Sequence, residues 1–401
     1  MDVIRPATGE GREPDGVGTS PSSPAGPARA GRSAIVWRAV LQVLPAWVAA
    51  RVLVAVAVVL AHLLVGTVRP GNPGARQRVG QGLLAWDGGW YRSIAGHGYV
   101  ASGRQSVRFF PGYPMAARAL GWVPGVGVGP ALVVLANLSA LAAMAALVLL
   151  VRHDLGDPDL ARRSAWLLAL APSAYTLVLG YADATLLLCS VVTVLGARTG
   201  RWWMAAAAGL AAGLVRPLGI LLVVPVLVEV VRQRAQRPPP RWAALAALAA
   251  PLAGTTAYLG WVRAQFGDAW LPFRVQQQNG HRGVLTLPVA AMAHNLDSLL
   301  HGHHVGSALH VPWVVLSVAL LVVAFRRLPL SYAAFAAAVL VVSLSSSNLD
   351  SFERYALGAF PLVIAASTLT SRPRVEAVVL GAAGAGLVGY AVLALMGLVV
   401  P

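Results

Sequence analysis

Lysine is absent from the 401 residues, and cysteine occurs once, at Cys189. A disulfide within the chain is therefore excluded, and a cysteine-built metal site is not expected. Acidic residues number 15 against 31 arginines, and charged residues make up 11% of the chain. A soluble globular domain carries about a quarter charged residues, so a single soluble core does not fit. The formal charge of +16 is carried entirely by arginine. These arginines are spread over many short connections and form no single patch, which argues against nucleic-acid binding. No repeat of 20–50 residues stands out. The Gly-x-Gly stretches follow no strand pattern, so a Rossmann site for a nucleotide sugar is not expected.

What fills the chain instead is apolar. Hydrophobic residues reach 57% and the mean hydropathy is +0.67. The pattern predicts an all-α polytopic membrane protein. Residues 1–40, rich in Pro, Gly, Ser, Ala and Arg, read as a disordered cytoplasmic tail. No apolar core lies near the N-terminus, so no cleaved signal peptide is expected. Residues 41–401 read as one transmembrane domain with about eleven spans. The first covers about 43–66 and carries Arg51 near its start, where snorkelling is cheap. The others fall near 126–151, 164–181, 183–198, 202–215, 218–231, 242–262, 309–325, 331–346, 355–370 and 377–399, those around 164–231 being short and interrupted. Arg-rich connections fall at every second loop and hold 18 of the 31 arginines, which predicts a cytoplasmic N-terminus. The long 67–125 loop, the 263–308 loop and the turn at Asp183 then face outward.

The outward side collects the residues suited to chemistry. In Leu84-Ala85-Trp86-Asp87-Gly88-Gly89-Trp90-Tyr91 a carboxylate sits among flat aromatic faces. That arrangement suits a sugar, with Asp87 accepting a hydroxyl proton and the rings stacking. An interfacial aromatic belt around a solvated Asp is the plainer alternative. Trp86, Trp90, Tyr91 and Ile94 recur three to four residues apart, as in a short amphipathic helix on the membrane surface. Asp183 lies between two apolar runs, where a carboxylate is costly and usually kept for a role. Arg216 lies in Gly213-Leu214-Val215-Arg216-Pro217-Leu218-Gly219, where Pro and Gly break a helix, a natural place for a phosphate clamp. Arg354 is either the partner of Glu353 or a contact for an anionic ligand. The 263–308 loop offers Arg263, Asp268, Trp270, Arg274, Gln276, Gln277, Gln278, His281 and Arg282 as a polar surface. His294, His301, His303, His304 and His310 tempt a zinc reading but have no ligand spacing, and an exposed polar loop is the expectation.

Together these residues resemble the PIG-V mannosyltransferase family. The resemblance rests on Trp86-Asp87 with Tyr91, Gly98-Tyr99 and Phe109-Phe110-Pro111-Gly112-Tyr113-Pro114. Tyr181-Ala182-Asp183 is similar to the family's Tyr-Ser-Glu segment with Asp in place of Glu, Arg216-Pro217-Leu218-Gly219 to its Arg-x-x-Gly, and Arg354-Tyr355 through Phe360-Pro361 to its late segment. The matches run over about residues 80–365. They imply a GT-C bundle whose long first outer loop carries the essential acid. They imply transfer of a sugar, usually mannose, from a polyprenyl-phosphate donor to a lipid or glycan acceptor. In that scheme Asp87, with Asp183, is catalytic, and Arg216 and Arg354 bind the donor phosphate. Trp86, Trp90, Tyr91, Tyr99, Tyr113 and Gln277 then contact sugar or acceptor. No metal is required, although a divalent ion between Asp87 and Asp183 stays open. The all-Arg composition fits a GC-rich bacterium, hence a bacterial plasma membrane. A transporter or flippase of a lipid-linked sugar is the alternative, since interrupted segments at 164–231 also suit a midplane site. A non-catalytic assembly partner is a third, and predicts that Asp87→Asn is silent.

Overall fold

The computed structural model describes residues 27–234, 240–278, 281–301 and 310–401, apart from the side chains at 27–30, 32, 294, 298 and 299. It is all-α. No strand occurs among the described residues, only one isolated bridge between Leu285 and Ser346. The helices run in order: α1 Pro27–Val68, α2 Pro73–Gln81, α3 Asp87–Ser102, α4 Gly112–Leu120, α5 Val128–Leu155, α6 Pro158–Leu170, α7 Asp183–Arg198 and α8 Trp202–Val215. They continue with α9 Val223–Arg234, α10 Arg241–Phe266, α11 Leu271–Gln276, α12 Pro288–Leu300, α13 Val311–Arg327, α14 Leu330–Leu344, α15 Phe352–Gly358, α16 Pro361–Thr368 and α17 Pro373–Met396.

Among the described residues four helices are long and apolar enough to cross a membrane: Ser33–Val68 within α1, Val128–Leu155, Arg241–Phe266 and Pro373–Met396. Of the seven other expected spans, 183–198, 202–215, 309–325 and 331–346 correspond to shorter helices, whereas 164–181 leaves the helix after Leu170, 218–231 begins in the 3-10 turn Pro217–Leu222, and 355–370 is divided between α15 and α16. At 1.5 Å per residue the 14 residues of α8 reach about 21 Å, less than a hydrocarbon core of about 30 Å. Two expectations are corrected here. The helix α1 already starts at Pro27, so only residues 1–26 of the expected tail lie outside the described residues. The 263–308 stretch is not a bare loop, since it holds α11 and α12. His303 and His304 lie outside the described residues, as does the His294 side chain.

Small residues set the core geometry. On α8, Gly209 and Gly213 lie four apart and face Pro251 and Gly254 of α10. A Cβ on Gly213 would stand 2.3 Å from the Pro251 carbonyl oxygen, and one on Gly254 2.3 Å from that of Leu210. Close backbone approach of this kind is how helices pack where no hydrophobic difference drives them together. It fixes the C-terminus of α8, from which Arg216 projects.

Between α6 and α7 the chain leaves the α-helix for twelve residues. Residues 171–182 include a 3-10 turn at Pro172–Leu177 and are almost entirely buried. Non-helical backbone at depth needs its polar groups satisfied by the protein. Arg51 does this. It was expected to snorkel to an edge, but its Nη2 donates to the Leu177 carbonyl at 3.3 Å and its Nε to Asn137 Oδ1 at 2.8 Å. Asn137 Nδ2 donates in turn to the Val178 carbonyl at 2.9 Å. Asn137→Leu should therefore lower stability by about 1–3 kcal/mol per orphaned group. A thermal unfolding midpoint in detergent, compared with Asn137→Gln, checks this.

The opposite end of the bundle is tied by a second ionic network. Arg198 reaches Asp154 and Glu229, each at 2.9 Å, while Ser331 Oγ donates to Glu229 at 2.7 Å and the Tyr332 hydroxyl to Asp154. It joins the ends of α5, α7 and α9 to the start of α14.

Candidate active site

Four helix ends and loops converge on one cluster. Asp87 is the first residue of α3, and Asp183 the first of α7. Arg216 follows α8 and opens the 3-10 turn Pro217–Leu222. Arg354 lies in the first turn of the short helix α15, whose Phe352 is fully buried. Arg354 bridges the two acids, with Nε 2.7 Å from Asp183 Oδ1 and Nη2 2.8 Å from Asp87 Oδ2. Arg216 does the same more loosely, with Nη1 2.8 Å from Asp183 Oδ1 and Nη2 3.7 Å from Asp87 Oδ2.

Local backbone explains how the groups are aimed. Among the described residues, only Trp86 and Ser351 are non-glycine positions with positive φ, at 56° and 66°. One immediately precedes Asp87 and the other lies three residues before Arg354. Such conformations cost of order 1–3 kcal/mol and gather at functional sites. The Asp87 turn is pinned to the Asp183 turn by a hydrogen bond from Gly180 N–H to the Leu83 carbonyl, 2.8 Å. A Cβ on Gly180 would stand 2.8 Å from Leu84 Cδ2, so the Leu84 side chain would have to shift. Gly219 is held harder still, since a Cβ there would stand 2.1 Å from the Ala212 carbonyl oxygen. Without that close turn Arg216 would not face Asp183.

Burial separates the two acids. The Asp183 side chain is 9% exposed and the Asp87 side chain 24%. Asp183 sits beneath the arginines and holds them, while Asp87 stands at the mouth. Asp183 Oδ2 is buried and has no hydrogen-bond partner. Below the cluster a cleft runs between α7 and α14. Leu186, Leu187, Leu218, Phe335, Val339 and Leu357 form its apolar walls, with Asp183, Arg216, Arg354 and Tyr355 at its charged end. Its cavity volume is about 20 Å³, and the space between its walls, open solvent included, is about 470 Å³. A charged end over an apolar trough suits a ligand with an anionic head and a hydrocarbon tail.

The aromatic residues divide differently from the expectation. Tyr91, Tyr99 and Tyr113 are buried in the protein core. Tyr91 packs edge-on to Phe109 and Tyr113, Tyr99 donates to the Phe109 carbonyl at 2.7 Å, and Tyr113 donates to the Leu132 carbonyl at 2.7 Å. Their faces are not open to a sugar. Burial pushes the Tyr91 phenol up to about 12 and raises Tyr99 and Tyr113 as well, so all three stay neutral. The Trp86 indole donates to the Ala394 carbonyl at 2.8 Å and its ring lies under Arg78, which commits it to packing. Trp90 stays half-buried beside the mouth, stacked on Phe109. Gln277 is exposed, and it is Gln278 that bonds to Gln105, at 2.9 Å.

Arg108 was not singled out by the sequence, and Arg282 and His310 were named only as parts of an exposed polar loop. Arg108 covers Phe109 and Trp90, 4.8 and 5.5 Å from the ring centroids. Arg282 covers Tyr355 at 4.5 Å. His310 was grouped with an exposed loop but is 1% exposed, its Nδ1 2.6 Å from Glu353 Oε1. Glu353 is thus the partner of His310, which frees Arg354 for the acids. No group of three or more His, Cys, Asp or Glu placed to hold a metal occurs among the described residues. Asp87 and Asp183 are bridged by guanidinium groups.

No family model matches the chain, and no curated protein matches it. Among solved structures it is similar to the crystal structure of ArnT from Cupriavidus metallidurans bound to undecaprenyl phosphate, with 17% sequence identity and a TM-score of 0.47. The similarity covers 72% of this chain and 56% of that one, so this chain matches little more than half of that protein's length.

Proposed function

We propose that the chain is an integral membrane glycosyltransferase of the GT-C type that uses a polyprenyl-phosphate sugar. The observation that carries this reading is the meeting of Asp87, Asp183, Arg216 and Arg354 at the charged end of an apolar cleft. In this reading Arg216 and Arg354 take the donor phosphate, and the isoprenoid tail lies along the trough towards the lipid. Asp87 stands on the open side and takes the proton of the acceptor hydroxyl. The hydroxyl oxygen attacks the anomeric carbon, the bond from that carbon to the phosphate oxygen breaks, and polyprenyl phosphate leaves with the electron pair. One displacement with one base inverts the anomeric centre. Fixed guanidinium groups in a low-dielectric site stabilise the charge on the leaving phosphate. Asp183 acts as a positioning residue, since it is buried beneath both arginines. Mannose as the sugar and the PIG-V family follow the sequence resemblance, and the outward face of a bacterial plasma membrane follows the arginine distribution.

Membranes containing the protein, given radiolabelled polyprenyl-phosphate mannose, should pass label to a lipid or glycan product. Label that crosses the bilayer of proteoliposomes while staying on the polyprenyl phosphate would instead mark a flippase.

A further inference from the structure

The mouth of the cleft carries more positive charge than its acids balance. Arg108, Arg216, Arg282 and Arg354 surround it, against Asp87 and Asp183. Arg216 and Arg354 are taken by the two acids. Arg282 donates to Ser346 Oγ and to the Ser343 carbonyl, both neutral. Asp350, four residues before Arg354, is engaged by Asn348 at 2.8 Å and His310 at 3.6 Å, and Glu353 by His310 at 2.6 Å.

Arg108 is the odd one of the four. It ends the 3-10 turn Arg104–Arg108 and lies over Trp90 and Phe109. Trp90 is three residues beyond Asp87 on α3, so the two side chains neighbour each other on one helix face. Arg108 Nη1 bonds to His281 Nδ1 at 2.7 Å. Gln105 Oε1 meets His281 Nε2 at 3.1 Å, and Gln105 Nε2 donates to Gln278. These contacts build a polar rim from two segments about 170 residues apart. Among the described residues Arg108 forms no ion pair, and its Nε is buried without a partner. Burial lowers Arg108 from its ordinary value, with the charge of Asp87 opposing the shift. A partly desolvated guanidinium held by neutral groups alone is costly unless an anion completes it.

We propose that Arg108, with Trp90 and the His281–Gln105 rim, forms a second anion subsite, and that the acceptor carries a carboxylate or phosphate there. The proposal deepens the glycosyl-transfer reading. A polyprenyl-phosphate sugar is a monoanion, so it neutralises one of the two surplus charges. The second surplus charge is left on the Asp87 side, where the accepting hydroxyl must lie. The anionic group of the acceptor would sit against the Arg108 fork while Trp90 flanks the ring.

Equilibrium binding tests this without turnover. The probes are radiolabelled octyl glucuronide and its neutral counterpart octyl glucoside, with the protein in nanodiscs. Wild type should bind the glucuronide at least about tenfold more tightly, a preference that weakens at high ionic strength. Arg108→Gln should abolish the preference, and Arg108→Lys should keep part of it. Farnesyl phosphate, a probe for the donor cleft, should not displace the glucuronide. Equal affinity for both probes, or a preference that survives Arg108→Gln, would overturn the proposal. Displacement by farnesyl phosphate would overturn it too, by placing the anion in the donor cleft. Binding in the expected pattern by a protein that transfers no sugar would overturn the transferase reading and leave the subsite standing.

Discussion

Asp87→Asn should lower the rate of sugar transfer by about 10²–10⁴-fold at unchanged protein level, the usual contribution of a positioned general base. Asn keeps the shape of the side chain and an oxygen that can accept from Arg354 Nη2, which lies 2.8 Å from Asp87 Oδ2. The fold should therefore persist, and the donor KM should change little. The measurement is initial rates with polyprenyl-phosphate mannose alongside elution of the variant as a single species in detergent. Wild-type rates from the variant would remove Asp87 from the chemistry. An unchanged kcat with a raised donor KM would instead make it part of the donor site.

Arg354→Gln should have a different signature, because this side chain joins both acids. The substitution leaves the buried Asp183 with Arg216 as its only guanidinium partner. Breaking a buried pair costs about 3–5 kcal/mol, and the retained Arg216 keeps the expected loss near the lower end. Transfer should fall below detection, since the fixed charge facing the leaving phosphate is halved. Adding Asp183→Asn to Arg354→Gln removes the uncompensated carboxylate. The double variant should regain thermal stability but not transfer. Recovery of both would reduce Arg354 to a structural tie, and recovery of neither would mean that Asp183 has a further partner.

How much of this was readable in the sequence depends on the kind of signal. Asp87, Asp183, Arg216 and Arg354 stand out because charge is rare in this chain and each interrupts apolar or aromatic surroundings. Their convergence was not readable, because it depends on contacts such as Gly180 to Leu83, nearly a hundred residues apart. Tyr91 misled because a three-to-four spacing marks one helix face without saying whether it meets membrane, solvent or protein, and Tyr99 and Tyr113 were assigned by resemblance alone. In α3 and α4 that face meets the core. Arg51 misled similarly: its position suggested an edge, but the helix extends well beyond the apolar run at its N-terminal end, back to Pro27. What it serves is a break in another helix. Arg108 could have been noticed, as a charge set directly against Phe109-Phe110-Pro111 in the densest aromatic block of the chain. Nothing local marks His310 as the buried partner of Glu353.

The bridge from Arg354 to Asp87 has a consequence for the order of events. Before any ligand arrives, the proposed base is engaged by a cation, with Asp87 Oδ2 accepting from Arg354 Nη2. A donor phosphate that draws Arg354 and Arg216 towards itself would loosen that hold. Donor would then have to bind before acceptor in a compulsory kinetic sequence. An unreactive acceptor analogue should accordingly inhibit uncompetitively against the donor, whereas random addition would give a noncompetitive pattern.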